Sequence, residues 1–348
     1  MTRPIQVTGL LQQQAWADRL LPPVEKVRPG LWSIPVPIPN NPLRYVLVYV
    51  LELDDGVALV DAGWDTPEAW TALTDGLAVA GGSVTDVRAV VVTHIHPDHY
   101  GLAGRVREVS GAWVGLHPHD AALLPARYGA GVPDLLREMH ALLRNCGVPE
   151  QELGVLADAS LPLVDYVRQV LPDRMVEDGD RLPLPGWNLL AVHTPGHSPG
   201  HLCFHDPGRR LLLSGDHVLP RITPNVGVHA QSAGNPLAEF VDSLARVAAL
   251  EPDVDEVLPA HEYRFAGIGA RVEQLLAHHD YRLAEVQDAA TGRTAWELTA
   301  ALTWSRPWDQ VSGFMRRAAV AETLAHLVLL ESRGRVRRTG LPWVWAAT

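Results

Sequence analysis

The sequence is poor in residues on which several protein classes depend. Its 348 residues include two cysteines, Cys146 and Cys203, and a single lysine, Lys26. Two thiols are too few for a disulfide framework or an all-thiolate metal site, and they suit a reducing compartment. Because no phosphate-binding motif surrounds the lysine, a P-loop is excluded, and Schiff-base chemistry has at most one candidate residue.

Long apolar runs and excess positive charge are also missing. No stretch reaches the roughly 18 unbroken apolar residues that a membrane-spanning helix needs. Polar residues interrupt segment 1–30, so it does not resemble a signal peptide, and we expect a cytoplasmic protein without membrane contact. The formal net charge of −11 disfavours general nucleic-acid binding, because a phosphate backbone would meet a repulsive average field.

What remains is an ordinary globular composition with both strand and helix patterns. Hydrophobic residues make up 47% and charged residues 20%, and the length suits two folding units. The β-branched apolar runs at 44–53 and 57–61 are separated by Asp-Asp-Gly, which predicts a hairpin. Segment 66–79 begins with Thr-Pro, as a capped helix does. The run at 88–93 is continuous, as in a strand covered on both faces.

Strands and helices follow one another along most of the chain. Further strands are predicted at 112–116, 187–193, 201–204, 210–213 and 255–258. Segment 118–170 is predicted to be a helical insertion with a helix at 134–145. The C-terminal part is predicted to contain helices at 268–289, 294–303 and 316–331, followed by a hairpin within 332–346. Helices followed by a hairpin suggest a winged-helix module.

The strongest chemical signal follows the strand at 88–93. The run Thr-His-Ile-His-Pro-Asp-His places three imidazoles and one carboxylate within six positions. His94 and His96 project to the same side of an extended segment, and the following turn brings Asp98 and His99 back toward them. One loop can therefore serve two adjacent cations. The alternative is a chance cluster in a solvated loop, and the density of ligands beside an apolar strand argues against it.

A second histidine-rich loop follows the strand at 187–193. In its run His-Thr-Pro-Gly-His-Ser-Pro-Gly-His, the Pro-Gly turn can direct His197 inward, so His197 is the predicted ligand. His193 and His201 fit a supporting or a core role, in which a ring nitrogen holds another group in place.

Three other strand ends carry a single candidate each. Asp216 ends one strand within Ser-Gly-Asp, and His261 ends another within Pro-Ala-His. Alone, the first could be a turn residue and the second a structural histidine, but together with the two histidine loops they become specific. Asp61 follows a further buried strand and is predicted to orient a ligating histidine through its ring N–H.

The motifs VDAG, HxHxDH, TPGH, SGD and PAH, in this order, resemble the metallo-β-lactamase superfamily over roughly 28–265. The resemblance implies an α+β fold, a four-layer αββα sandwich of two mixed sheets, with a metal site at one edge. It also implies that Asp216 bridges two ions. The implied ligands are His94, His96 and His197 for the first ion, and Asp98, His99 and His261 for the second. The lack of a thiolate ligand resembles glyoxalase II-like hydrolases rather than antibiotic-degrading enzymes.

These ligands predict a hydrolase with two divalent ions. Zinc is expected first, although imidazole and carboxylate ligands also accept iron or manganese. Two ions about 3.5 to 4 Å apart share a water, lower its pKa toward about 7 and polarise the substrate carbonyl. A bridging hydroxide would then attack, with Asp98 and Asp216 as the catalytic carboxylates. We predict cleavage of an ester, thioester or lactone bond in a small organic acyl substrate.

We divide the chain into an N-terminal extension (1–27), a catalytic domain (28–265) and a C-terminal domain (266–348). The last resembles the winged-helix appendage of β-lactamase-like protein 2 and related bacterial hydrolases. From Arg264 onward the sequence contains 11 arginines but only 8 Asp plus Glu residues, so this part carries a local positive charge. Such a domain could bind RNA phosphates, and RNA phosphodiester cleavage is therefore the alternative function. The negative net charge of the whole chain favours a different role, in which the hairpin packs on the catalytic core or on the second subunit of a homodimer.

The insertion 118–170 is predicted to cover the metal cleft and to select the acyl group. Asn225 and the loop 37–43 are predicted to border the same pocket, where Asn225 either donates to a substrate carbonyl or caps a turn. The candidate wall residues are Tyr128, Met139, His140 and Tyr166. Two alternatives stay open: the helices could bury sheet surface or form a dimer contact, and the metal site could serve a redox scaffold without hydrolysis.

Overall fold

A computed structural model of the protein describes residues 4–348. The first half of the chain combines strands with mostly short helices. The strands are β1 (Gln6–Val7), β2 (Glu25–Arg28), β3 (Leu31–Pro37), β4 (Tyr45–Leu53), β5 (Gly56–Val60), β6 (Val87–Val91), β7 (Trp113–Leu116) and β8 (Arg174–Met175). The helices are α1 (Leu10–Asp18), α2 (Pro67–Val79), α3 (Pro97–Tyr100), α4 (Ala103–Ser110), α5 (Pro118–Ala121), α6 (Leu124–Tyr128), α7 (Val132–Asn145) and α8 (Glu150–Ala157), with short 3₁₀ segments at Val84–Asp86 and Asp158–Tyr166.

The second half contains fewer and longer helices. Its strands are β9 (Leu190–His193), β10 (Leu202–Asp206), β11 (Leu211–Gly215), β12 (Glu256–Pro259), β13 (Phe265–Ala266), β14 (Thr291–Thr294), β15 (Val336–Thr339) and β16 (Val344–Ala347). Its helices are α9 (Pro236–Ala248), α10 (Ile268–Ala289), α11 (Ala295–Ala301) and α12 (Gly313–Ser332), with 3₁₀ segments at Glu251–Asp253 and Trp308–Gln310.

Two mixed sheets form the body of the molecule. The first has the strand order β2-β3-β4-β5-β6-β7-β8, antiparallel from β2 to β5 and parallel from β5 to β8. The second has the order β1-β13-β12-β11-β10-β9, in which only the β11–β12 pair is parallel within the described chain. The predicted hairpin of β4 and β5 is confirmed, with Leu53 paired to Gly56.

The two sheets pack face to face and carry helices on their outer faces. Leu47 and Val60 of the first sheet and Phe204 and Leu213 of the second lie in one buried apolar cluster between the sheets. On the outer face of the first sheet, α2 and α4 bury their apolar sides. On the outer face of the second, α9, α10 and α12 do the same. The predicted layering of helices outside two mixed sheets is confirmed.

The C-terminal helices share a buried apolar core with the second sheet. A three-stranded antiparallel sheet of order β14-β16-β15 accompanies α10, α11 and α12. Trp345 of β16 is fully buried, and it shares an apolar cluster with Phe240 of α9 and Phe265 of β13. No helix in residues 4–348 is long and apolar enough to cross a membrane.

The insertion 118–170 is helical, as predicted, and packs on two different cores. Leu143 of α7 and Leu156 of α8 lie in the cluster formed with α12. Leu124 of α6 lies in the cluster under the first sheet. The segment therefore adds apolar side chains to the cores on the outer faces of both sheets, as the packing alternative expects, and its predicted covering of a cleft stays a prediction.

The N-terminal region holds strands that sequence patterns did not indicate. β3 pairs along its whole length with β4, although it contains Pro35 and Pro37. β2 pairs only with Leu31–Ser33, so the prolines lie where no neighbour on the other side needs their N–H. β1 pairs with β13, which attaches residues 6 and 7 to the edge of the second sheet.

Candidate metal centre

The seven predicted ligands lie on strand ends at one edge of the sandwich. His94 and His96 follow β6, and the short helix α3 carries Asp98 and His99. His197 lies in the loop between β9 and β10. Asp216 comes directly after β11, and His261 follows β12. Since β11 and β12 run parallel, their carboxyl ends deliver these two side chains to the same place. We call the seven side chains the metal centre.

Three histidines form the first half of the metal centre. One ligand atom from each of His94, His96 and His197 lies within 4.8 Å of the other two. His94 Nε2 is 2.9 Å from His96 Nδ1. Oδ2 of Asp216 lies 3.5 Å from His197 Nε2, so this carboxylate reaches the three-histidine group.

The second half is formed by Asp98, His99 and His261, which also meet within 4.8 Å. Asp98 Oδ2 lies 3.7 Å from His99 Nε2 and 3.4 Å from His261 Nε2. Asp216 Oδ1 lies 3.5 Å and 3.2 Å from the same two nitrogens. The two oxygens of Asp216 therefore face the two halves of the centre, as a bridging carboxylate must.

The outer nitrogens of three of the ligating histidines are held by acceptors. His99 Nδ1 donates to Asp61 Oδ2 at 2.8 Å. His197 Nδ1 donates to the carbonyl of Asn225 at 2.8 Å, and His261 Nδ1 donates to the carbonyl of Tyr45 at 2.9 Å. These bonds fix each ring and leave Nε2 as the atom that faces the centre.

Asp61 and Thr93 form a small network behind the histidine loop. Asp61 accepts from the backbone N–H of Thr93 at 2.7 Å and from its hydroxyl at 3.0 Å. The Thr93 hydroxyl also lies 3.1 Å from His94 Nδ1. One carboxylate thus positions His99 directly and His94 through Thr93. The sequence indicated this role for Asp61 but not the contribution of Thr93.

His201 positions the bridging carboxylate and is not aimed at the metal centre. The backbone N–H of Asp216 donates to His201 Nε2 at 3.1 Å, and the other ring nitrogen bonds to the Thr194 hydroxyl at 2.8 Å. Gly215 has φ +50°, and a Cβ there would lie 2.7 Å from His201 Nε2. Glycine is therefore required where the chain passes this ring.

Neighbouring charges and burial shift the pKa values of the histidines in the metal centre. Burial acts to lower the pKa of His99, but Asp61, Asp98 and Asp216 outweigh it and raise that pKa well above its usual value. In the same way, burial is outweighed at His261, whose pKa rises to about 10 beside Asp216 and Asp98. Burial and neighbouring histidines hold the pKa of His94 well below its usual value.

The residues present fit two metal ions. Nε2 of His99, His197 and His261 and Oδ1 of Asp216 are buried without a well-formed hydrogen bond in the described chain. Buried polar atoms are normally satisfied, and each unsatisfied one needs an explanation. Four such atoms that converge beside two further histidines and a second carboxylate are explained by cations bound between them. The donor set is all nitrogen and oxygen, since both cysteines are free and buried elsewhere.

Asp120 ties the two ligand loops together, and sequence reasoning missed it. Its carboxylate accepts from the N–H of Ile95 at 2.8 Å, between His94 and His96. It also accepts from the Ser198 hydroxyl at 2.8 Å and from the N–H of Gly200 at 2.7 Å, in the loop of His197. The available signal was a lone acidic residue at the start of a short helix, which usually indicates no more than a cap.

The predicted pocket residues have mostly structural contacts. The Tyr128 hydroxyl donates to the carbonyl of Ile95 at 2.9 Å, and Met139 is buried in the cluster of α7 and α8 with His140 half-buried beside it. Tyr166 packs on Trp64 with 4.5 Å between ring centroids.

Asn225 contributes its backbone to the metal centre. Its carbonyl holds His197, whereas its amide nitrogen lies 3.3 Å from Glu322 Oε2. The side chain is therefore turned toward α12, and the predicted donation to a substrate carbonyl stays a prediction.

A third histidine group lies outside the metal centre. His117, His119 and His193 also bring three nitrogens within 4.8 Å. However, the rings of His117 and His193 are nearly parallel, at 10° and 4.0 Å between centroids, so their in-plane lone pairs do not point at a common position. His193 Nε2 donates to the carbonyl of Pro199 at 2.9 Å and thereby supports the loop of His197.

Comparison with known proteins agrees with this geometry. Residues 41–261 match the family model of the metallo-beta-lactamase superfamily. A probable metallo-hydrolase, YqjP of Bacillus subtilis, is 30% identical over 62% of this chain and 66% of its own length. A hydroxyacylglutathione hydrolase of Fuscovulum blasticum is 28% identical over 59% of this chain and 57% of its own length. The chain thus spans less than two thirds of either curated relative.

Solved structures extend the similarity to nearly the whole chain. A metallo-beta-lactamase family protein from Thermus thermophilus is 34% identical and superposes with a TM-score of 0.80, over 93% of this chain and 100% of that one. A beta-lactamase domain protein from Burkholderia ambifaria is 28% identical with a TM-score of 0.79, over 99% and 97%. The protein belongs to the metallo-β-lactamase superfamily of metal-dependent hydrolases.

Proposed function

We propose that the protein hydrolyses an ester, thioester or lactone bond of a small organic acyl substrate, with two divalent ions held in the metal centre. The observation that carries this proposal is the set of buried nitrogen and oxygen atoms without hydrogen bonds that converge from separate strand ends. Zinc is the first candidate for both ions, and iron and manganese suit the same ligands.

A thioester is the favoured bond among the three. The similar protein from Fuscovulum blasticum is named a hydroxyacylglutathione hydrolase, and a protein of Aspergillus fumigatus, 26% identical over 64% of this chain, is named an atrochrysone carboxyl ACP thioesterase. The second of these names refers directly to a thioester, and this similarity supports the same class for the present chain.

The side chains of the metal centre have distinct roles in this proposal. Bound divalent ions would supply an activated water and a Lewis acid for the carbonyl oxygen. Asp216, held through its N–H by His201, keeps the two halves of the centre at a fixed separation. Asp98 would help to hold an ion together with His99 and His261, and its carboxylate would orient a water beside that ion. The buried rings of His94, His99 and His261 exclude bulk water from this side of the centre.

Hydrolysis of matched substrates tests the proposal. The protein, loaded with zinc, is assayed against an S-acyl thioester, the corresponding oxoester, a lactone, a phosphodiester and a β-lactam. We expect hydrolysis of at least one of the first three, lost with a chelator and in Asp216→Asn but kept in the exposed control Asp134→Asn. Cleavage of the phosphodiester alone, or hydrolysis that a chelator does not affect, would contradict the proposal.

We also propose that residues 266–348 form a winged-helix domain that follows a catalytic domain of residues 28–265. The order α10, β14, α11, α12, β15, β16, with β16 between the other two strands, supports this. Its helices share one buried cluster with α9, which favours a role in packing over a role in RNA binding. The two free, buried cysteines suit a cytoplasmic location.

A further inference from the structure

A cleft beside the metal centre contains polar atoms that nothing in the described chain satisfies. It adjoins His197 and is partly open to solvent. The walls come from α6, the loop of His197, the loop 227–233 and the start of α9. The polar residues among them are Arg127, His197, Ser198, His229, Gln231, Ser232 and Glu239.

Arg127 is the unusual residue of this cleft. Its side chain is half-buried at the end of α6, and its Nε is buried without a hydrogen bond. Among residues 4–348 no carboxylate lies within 4.0 Å of its guanidinium, whereas most arginines of the chain have such a partner. A buried donor without an acceptor costs stability, and an acceptor group bound in the cleft would satisfy this Nε.

Two further basic side chains lie around Arg127. Arg317 is buried, and burial together with Arg127 lowers the pKa of Arg317 to about 10. The guanidinium of Arg317 donates to the carbonyls of Leu156 and Ala157, at 3.3 and 3.2 Å. His229 lines the same cleft, and burial followed by the charges of Arg127 and Arg317 lowers its pKa to about 3.

No carboxylate accepts a hydrogen bond from Arg127 in the described chain. The charge of Asp120 acts on Arg127 through space, but both oxygens of Asp120 already accept from Ile95, Ser198 and Gly200. Glu239 is the acidic residue of the cleft wall, and burial raises its pKa. Gln231 adds a second unsatisfied atom, because its Oε1 is buried without a partner.

We propose that this cleft is a subsite for a carboxylate group of the substrate and that Arg127 binds that group and determines specificity. The inference rests on the proposed hydrolysis and names the substrate class: acyl compounds whose acyl part carries a free carboxylate. One planar guanidinium matches a carboxylate through two parallel hydrogen bonds. A phosphate would place more negative charge than a carboxylate beside Glu239 of the cleft wall. The Gln231 oxygen can accept an N–H of the same substrate.

The position of Arg127 relative to the metal centre supports this assignment. His197 belongs both to the metal centre and to the cleft wall, and Tyr128, next to Arg127, donates to the carbonyl of Ile95 between the ligands His94 and His96. A substrate that places its carbonyl at the metal centre can therefore place a carboxylate a few atoms away on Arg127. Because the net charge of the whole chain is negative, the chain attracts a carboxylate only near groups such as Arg127.

Two thioesters that differ in one group test the proposal. The glutaryl thioester of N-acetylcysteamine carries a terminal carboxylate, and the matched glutaramyl thioester carries an amide there. With the zinc-loaded protein we expect kcat/KM to be roughly 10- to 100-fold higher for the carboxylate, the effect of a charge-assisted pair. Arg127→Gln removes this preference while hydrolysis of the amide substrate is retained. The control Arg144→Gln, on the exposed end of α7, keeps the preference.

A binding measurement separates the subsite from hydrolysis. Titration calorimetry with glutarate on metal-free protein should give an affinity that Arg127→Gln lowers about tenfold or more, whereas Arg144→Gln does not. Equal kcat/KM for the two thioesters together with unchanged glutarate binding in Arg127→Gln would overturn the subsite and leave the hydrolysis intact. Absence of hydrolysis of both thioesters, with glutarate binding still dependent on Arg127, would overturn the thioester class of the proposed function and leave the subsite intact. A preference for a phosphorylated thioester over the glutaryl one would assign the cleft to phosphate and also overturn the proposal.

Discussion

The two ring nitrogens of the ligating histidines His99, His197 and His261 have different roles in this molecule. The outer nitrogens of His99, His197 and His261 are held by a carboxylate or a backbone carbonyl, so the inner nitrogens have fixed directions before any ion binds. Such preorganisation lowers the cost of metal binding, because ring rotation is already restricted. The contacts behind the rings should therefore affect metal affinity nearly as much as the ligands do.

Asp61 offers the sharpest test of that idea. Asp61→Asn keeps the shape but leaves one acceptor oxygen where Thr93 and His99 both need one. We expect a 10- to 100-fold loss of affinity for the ion held by His99, measured by competition with a chelator of known affinity. Asp65→Asn, four residues away and paired with Arg105 and Arg168, is the matched control. Equal affinity in the two variants would show that Asp61 has only a structural role.

Metal uptake should depend on pH through His261. In the metal-free protein its pKa is raised to about 10, so the ring is protonated at neutral pH and an ion must displace that proton. Apparent affinity is then expected to rise with pH, by up to tenfold per unit for each displaced proton. The proton-bound ring also stabilises the metal-free fold fully below pH about 6.5, and this contribution is lost as pH rises toward about 10. Titrations at pH 6, 7 and 8 that give one affinity would contradict this.

A single buried side chain connects two loops that carry histidine ligands of the metal centre. Asp120, at the start of α5, links the loop after β6 to the loop after β9 by three hydrogen bonds. Asp120→Asn should destabilise the fold by about 1–3 kcal/mol, because a donor is left unsatisfied in a buried position. It should also weaken the site formed by His94, His96 and His197. Chemical unfolding beside the exposed control Asp134→Asn measures this, and equal stability would remove Asp120 from the account.

The helices of the C-terminal part have their own response to acid. His279 of α10 and His326 of α12 are in contact, with 3.3 Å between ring nitrogens, and burial lowers their pKa values to about 3 and about 4. The unfolded chain takes up protons from pH 6.5 downward, whereas the folded chain does so only near pH 4. Stability should therefore fall below pH 6.5, by at most about 1.4 kcal/mol per pH unit for each histidine.

The variant His279→Gln isolates this effect. Glutamine does not titrate, so the loss of stability between pH 6.5 and 4 should be smaller than in the parent protein. His278→Gln changes the more exposed neighbour, whose pKa burial also lowers, and should reduce the slope by less than His279→Gln does. Thermal unfolding of the three proteins across this pH range makes the comparison, and parallel curves would show that His279 is not responsible.

The sequence predicted those parts of the site that depend on short motifs. His94 to His99, His197, Asp216 and His261 each follow a recognisable strand, so both their type and their location could be inferred. Asp120 could not be, because it lies 80 residues before its partner Gly200. The roles of the backbone carbonyls of Tyr45 and Asn225 could not be predicted either. Every residue has a backbone carbonyl, and only the fold determines which of them lie beside a ligating histidine.

The same distinction applies to the elements. The hairpin of β4 and β5 and the helix α10 follow from local patterns, and both are observed. β3 was not predicted because its prolines normally exclude a strand. They are tolerated since β2 covers only the first part of β3. Pairing of this kind depends on where a neighbouring strand ends, which local sequence does not encode.

The charge of the whole molecule bears on the choice between acyl substrates and RNA. The net charge is −11, and Arg338 in β15 is engaged by Glu331 at 3.6 Å and by the ring of Trp343. We expect no binding of single-stranded RNA at about 0.15 M salt, measured by fluorescence anisotropy, because the net negative charge of the chain repels a phosphate backbone. Tight binding with a steep salt dependence would instead support the RNA alternative.

Metal content is the measurement that tests the central claim most directly. The account requires that the seven residues of the metal centre hold two ions together. Elemental analysis of folded protein, produced with supplemented zinc and freed of loosely bound metal, should give two ions per chain. Asp216→Asn should lose most of both, because its two oxygens face both halves of the centre. One ion or none in the well-folded parent protein, or two ions retained without Asp216, would contradict the account.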